Sequence, residues 1–128
     1  MLTKVNTDQA PSAIGPYSQA VREENALYIS GQTPVNPAVG KIDTDTIELQ
    51  AEQVMKNIGA ILASQGMKYG NVVKTTCFLS DMKNFVAFNK VYGKYFTEKP
   101  ARSCVAVKEI PLGALCEVEA IAVTRGME

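Results

Sequence analysis

The chain has 128 residues, 46% of them apolar and 20% charged, with 13 basic and 13 acidic side chains and no histidine. That length predicts one domain, 1–128, with a sizeable core, and zero net charge lacks the basic excess of a nucleic-acid binder. Without histidine no Ser-His-Asp or Cys-His set can form, and no run approaches the ~20 apolar residues of a membrane helix.

The opening residues, Met1 to Asp8, have no signal-peptide shape, which predicts a cytoplasmic protein. Residues 19–23 and 26–31 read as two strands of a hairpin turning at Glu24-Asn25. Pro34, Asn36, Pro37 and Gly40 mark a loop, with a short extra strand near Lys41-Ile42. Asp45, with Glu48 three residues on, predicts the cap of a helix over about 46–65. Ile47, Ala51, Val54, Ile58 and Ile61 recur at 4-3-4-3 spacing and form its buried face; Gly66 stops it. Residues 72–79 are β-branched and aromatic and read as a strand. A second helix starts at Asp81 or Asn84 and runs to about Phe96, burying Phe85, Phe88, Tyr92 and Tyr95 or Phe96. Residues 101–107 and 115–123 complete the strands, joined by a loop around Pro111 and Gly113. The expected fold is α+β: an antiparallel or mixed sheet with both helices on one face. Neither face of the last two strands is plainly polar, so the face without helices calls for cover by another copy.

Arg102 is the first candidate for chemistry, because a guanidinium holds a carboxylate with two parallel hydrogen bonds; the competing assignment is a strand arginine in a salt bridge or at the rim of the sheet. Cys104 shares its face of the strand and serves as pocket wall or backbone support, since no base is available to make it a nucleophile. Glu117 and Glu119 share a face with apolar residues, where desolvation raises a carboxyl pKa toward general acid/base use; ion pairing across the sheet explains them equally well. Tyr17 follows the rigid Gly15-Pro16 turn, and Ser30 and Gly31 end a strand; each can meet a ligand. Asn89 lies off the aromatic stripe, as a solvated helix residue would. Cys77, Cys104 and Cys116 are unclustered, fitting neither a zinc site nor a disulfide framework. No metal ligand set or phosphate loop is present, and no cofactor is called for.

Several strings, in order over nearly the whole chain, resemble the reactive intermediate deaminase A family of imine/enamine deaminases. They are Ala-Ile-Gly-Pro-Tyr-Ser-Gln-Ala (13–20), Ser-Gly-Gln-Thr-Pro (30–34), Val-Lys-Thr-Thr-Cys-Phe-Leu-Ser-Asp-Met (73–82), Phe-Asn-Lys-Val-Tyr (88–92), Pro-Ala-Arg-Ser-Cys-Val (100–105) and Glu-Val-Glu-Ala-Ile-Ala (117–122). The resemblance implies a chorismate-mutase-like fold and a homotrimer whose sheets surround a barrel-like core, with active sites in the clefts between subunits. It assigns the substrate carboxylate to Arg102, the site carboxylate to Glu117 rather than Glu119, and contacts to Tyr17, Ser30, Gly31, Asn89 and Cys104. The segment Thr97-Glu98-Lys99 is shorter than in some relatives, which bears on the cleft mouth. The implied activity is metabolite damage control: deamination of 2-imino acids, derived from enamines such as 2-aminoacrylate and 2-aminocrotonate, to 2-oxo acids and ammonia. The alternatives are a non-catalytic binding or regulatory protein of 2-oxo or amino acids, and an RNA-acting or chaperone-like protein.

Overall fold

The computed structural model describes residues 2–125. Six strands and two helices follow in the order β1 (Leu2–Val5), β2 (Ala20–Glu23), β3 (Ala26–Gln32), α1 (Ile47–Ser64), β4 (Val72–Leu79), α2 (Phe85–Tyr95), β5 (Ala101–Ala106) and β6 (Cys116–Val123). They build one mixed sheet in the order β1-β2-β3-β6-β4-β5. Its neighbours run antiparallel except β4 and β5, which α2 connects in parallel. The mixed sheet with helices on one face is the arrangement read from the sequence. β1 is an addition: it pairs with β2, but Val5 is its one buried residue, too little pattern to see in four residues. The extra strand near residue 41 is a single bridge between Asn36 and Lys41.

Local chemistry sets the helix ends. Thr46, not Asp45, caps α1: its hydroxyl accepts from the Leu49 amide at 3.2 Å while its own backbone is extended. At the other end Gly66 takes φ +69°, and the Gly66 and Met67 amides donate to Ala63 and Leu62 carbonyls, closing the last turn. Asp81 caps a short 3-10 turn over residues 82–84 that leads into α2.

Ala51, Val54, Ile58 and Ile61 of α1 are fully buried, against Cys116, Val118, Ala120 and Ala122 of β6 and Cys77 and Leu79 of β4. At roughly 1.5–3 kcal/mol for each large apolar side chain, this layer dominates the fold's stability. The opposite sheet face is not covered by helices. Tyr28 (49% exposed) and Val73 (39%) stand on it, with Phe78 and Ile121 half-buried. No helix of the described residues is long and apolar enough to cross a membrane.

Candidate active site

Arg102 and Cys104 lie on edge strand β5, in register with Thr75 and Cys77 of β4, and therefore on the helix-facing side of the sheet. There α2 meets them with Phe85, Asn89 and Tyr92, spaced four and three residues apart on one helix face. The guanidinium lies over the Tyr92 ring at 4.8 Å and near the Phe85 ring at 5.7 Å, both cation–π distances. Its Nη1 donates to Asn89 Oδ1 at 2.7 Å. Asn89 is thus a half-buried partner of Arg102, between the aromatic residues and not on a solvated face as its spacing predicts. Among the described residues no carboxylate lies within ion-pair distance of Arg102. The salt bridge is therefore not formed among the described residues, while the rim position is, since β5 is the sheet edge; there a half-buried cation retains donors for an anion.

Cys104 is partly buried beside the arginine, and burial, opposed by the Arg102 charge, pushes its thiol pKa up. Cys77, fully buried next to it, is pushed up to about 12 by desolvation. Both are protonated near neutral pH, which suits a pocket wall better than a nucleophile.

Glu117 lies on the other face. It alternates with the buried Cys116 and Val118 and pairs with Phe78. Burial first, and then the neighbouring Glu119 charge, raise its pKa above the ordinary carboxylate value. Its carboxylate packs against Gly31. The ladder between β3 and β6 slips between Ile29 and Gln32, so Ser30 and Gly31 form a bulge. A Cβ on Gly31 would lie 2.9 Å from Glu117 Cδ and nearer still to Oε2. Glycine at 31 therefore seats the carboxylate. The Ser30 hydroxyl donates to the Ser18 carbonyl at 2.6 Å, and the Ser30 amide donates to Gln19 O at 3.0 Å, which ties the Gly-Pro-Tyr loop to the bulge. Gln19 in turn is buried and holds both the Thr7 amide and the Thr7 and Pro11 carbonyls. Tyr17 stands 53% exposed on that loop, after Gly15 at φ +129°. The candidates thus form two groups on opposite faces of one sheet: Arg102, Cys104 and Asn89 on one, and Glu117, Gly31, Ser30 and the Tyr17 loop on the other.

The family model described as Endoribonuclease L-PSP matches residues 7–124. The chain belongs to this family. Its members include the reactive intermediate deaminases: the chain is 45% identical over 119 residues to Reactive Intermediate Deaminase A, chloroplastic, of Arabidopsis thaliana, covering 92% of this chain and 64% of that one. It is 44% identical over 129 residues to the 2-iminobutanoate/2-iminopropanoate deaminase of Escherichia coli K12, covering 98% and 100%. AldR of Lactococcus lactis, which carries a regulator's name, is 49% identical over 119 residues, covering 92% and 94%. Among solved structures, yeast Mmf1 superposes with a TM-score of 0.93 at 47% identity, covering 98% and 100% of the two chains. E. coli TdcF with bound serine superposes at 0.90 and 39%, covering 95% and 98%.

For this member of the L-PSP family, sequence reasoning passed over the surroundings of the arginine. Periodicity marks Phe85 and Tyr92 as buried stripe alone and does not single out Thr75, whose Oγ1 lies 2.7 Å from the Tyr92 hydroxyl. The signal was present in the i, i+4, i+7 spacing of Phe85, Asn89 and Tyr92, which places the asparagine between the rings. The Ser30-Gly31 bulge left no such signal, because it depends on pairing with β6, about ninety residues away.

Proposed function

We propose that the chain hydrolyses small 2-imino acids, formed from enamines such as 2-aminoacrylate and 2-aminocrotonate, to 2-oxo acids and ammonia. The observation that carries this reading is Arg102: a half-buried guanidinium held on an aromatic shelf, with no carboxylate partner among the described residues. A small anionic substrate with a planar carboxylate is the ligand such a group fits. The serine bound to the TdcF relative and the deaminase names of the E. coli and Arabidopsis relatives support a ligand of this class.

In this mechanism Arg102 pairs with the substrate carboxylate and Asn89 fixes the fork. Tyr17, Ser30, Gly31 and Cys104 line the cleft. Glu117, with its raised pKa, takes a proton from water as it adds to the iminium carbon and returns it to nitrogen; the adduct's hydroxyl then gives up its proton to the leaving ammonia as the C–N bond breaks and C=O forms. One water is consumed and one C=N bond becomes C=O. An iminium is already electrophilic, so positioning and proton transfer are the enzyme's main contributions.

Arg102 and Glu117 of one chain face opposite ways, so the cleft takes the arginine from one copy and the glutamate from the next. A closed homotrimer does this three times and covers the Tyr28, Val73, Phe78 and Ile121 face. Binding of a 2-oxo or amino acid without turnover is the second reading, supported by the regulator's name of AldR. A coupled assay separates the two. A pyridoxal-dependent dehydratase generates 2-aminoacrylate from serine, and imine decay is followed with and without this protein. Faster decay with pyruvate and ammonia released supports hydrolysis; decay at the buffer rate refutes it.

A further inference from the structure

The Arg102 guanidinium rests on a ring that is itself anchored. Tyr92 is 8% exposed and Thr75 fully buried, and their hydroxyl oxygens lie 2.7 Å apart across the α2–β4 interface. Thr75 is also the register partner of Arg102 on the adjacent strand. One buried threonine thus sits beside the arginine's backbone and holds the ring under its side chain. Tyr92 is further wedged by Phe88 at 5.9 Å and Phe96 at 4.8 Å, ring centre to ring centre. This leaves the Tyr92 ring little freedom to rotate. A phenol at this depth stays protonated, since desolvation raises its pKa.

We propose that Tyr92 and Thr75 are positioning residues for carboxylate recognition: the Thr75–Tyr92 hydroxyl pair locks the ring, and the locked ring fixes the plane of the Arg102 guanidinium before substrate arrives. A free arginine side chain has many rotamers, and a two-pronged grip needs one of them; pre-ordering lowers that entropic cost. Asn89 fixes one nitrogen of the fork, which leaves rotation about that hydrogen bond; the ring below removes it. Neither Tyr92 nor Thr75 need touch substrate, so their effect is on affinity for the carboxylate and not on proton transfer at Glu117. The inference rests on the carboxylate-binding role given to Arg102 above.

The test uses pyruvate, the stable product, and its neutral amide, pyruvamide, titrated by NMR into wild type and into Arg102→Ala, Tyr92→Leu, Tyr92→Phe and Thr75→Val. Tyr92→Leu is expected to weaken pyruvate binding about fivefold to thirtyfold, the value of a partly desolvated cation–π contact, and to leave pyruvamide binding unchanged. Tyr92→Phe keeps the ring but removes its lock and should weaken pyruvate binding by about twofold to fivefold, less than Tyr92→Leu, and Thr75→Val should match it; full wild-type affinity in both would remove the hydroxyl pair from the proposal. In turnover the Tyr92→Leu loss should be in KM with kcat little changed. If Arg102→Ala binds pyruvate as well as wild type, the functional reading itself is wrong. If Arg102→Ala loses pyruvate while Tyr92→Leu keeps it, the functional reading stands and the positioning role is wrong. A measurement on the unmutated protein decides the matter even where Tyr92→Leu does not fold. The ¹⁵N–¹H heteronuclear NOE of Arg102 Nε should be as high as that of the ordered backbone without ligand, and a value typical of a mobile surface arginine overturns the proposal.

Discussion

Gly31→Ala tests the seating of the Glu117 carboxylate with a single added carbon. Gly31 has no positive φ, so the alanine backbone is unstrained; the three atoms nearest the new Cβ all belong to Glu117, Oε2, Cδ and Cγ. These atoms end a flexible, half-exposed side chain, which can swing away at an off-rotamer cost of about 0.5–1.5 kcal/mol. The fold should therefore survive, with Tm lowered by a few degrees at most. Function should not survive equally well. The carboxylate must move by about 1 Å, and a misplacement of that size costs on the order of 10²-fold in rate. The assay is imine decay in the dehydratase-coupled system, together with Tm and molar mass for each variant. The decisive arm is the double variant. Glu117→Ala removes the three atoms nearest the new Cβ, so adding Gly31→Ala to it should cost little further in rate or stability. Full activity in Gly31→Ala, or losses that simply add in the double variant, would refute the seating.

Arg102→Lys should lose about 10–100-fold in kcat/KM, because lysine keeps the charge but loses the planar fork and the stacking on Tyr92; a rate near wild type would remove bidentate recognition from the account. Cys104→Ala should stay within about threefold of wild type, since burial keeps the thiol protonated, and a loss as large as that of Arg102→Ala would make the thiol a reactant. Glu117 binds its proton more tightly in the folded state, so its ionisation lowers stability as pH rises from the ordinary carboxylate range through the raised value. Glu117→Gln should accordingly raise Tm relative to wild type at pH 8 and not at pH 4. The same Tm difference at both pH values would mean that the carboxyl is not perturbed.

The apolar rhythm of the chain carried most of the fold. The 4-3-4-3 spacing of Ile47 to Ile61 marks α1, and alternation from Cys116 to Val123 separates the two faces of β6 without saying which one the helices cover. Local competition decided what it missed. Asp45 and Thr46 are both good caps, and only the chain direction entering the helix selects the threonine. β1 earns its place by backbone pairing with β2, not by burial. In the site, the individual residues were legible but not their grouping. Odd or even position along β5 and β6 says which residues share a strand face; it does not say that β4 separates the two strands and sets Arg102 and Glu117 on opposite faces of the sheet. Asn89 was misplaced for a related reason: an aromatic stripe on a helix has width, and a polar residue within it is visible only once the strand arginine opposite is known.

Mixing two inactive variants tests the central claim, imine hydrolysis at a site shared between copies, most directly. Arg102→Ala and Glu117→Ala are co-expressed with different tags, the doubly tagged assemblies are purified, and imine decay is measured beside each parent alone. If each cleft takes its arginine from one copy and its glutamate from the next, every trimer that holds both chains rebuilds one of its three clefts, and the purified mixture recovers roughly a third of wild-type activity while both parents remain near zero. A mixture as inactive as its parents, in assemblies shown to contain both chains, would contradict the shared cleft.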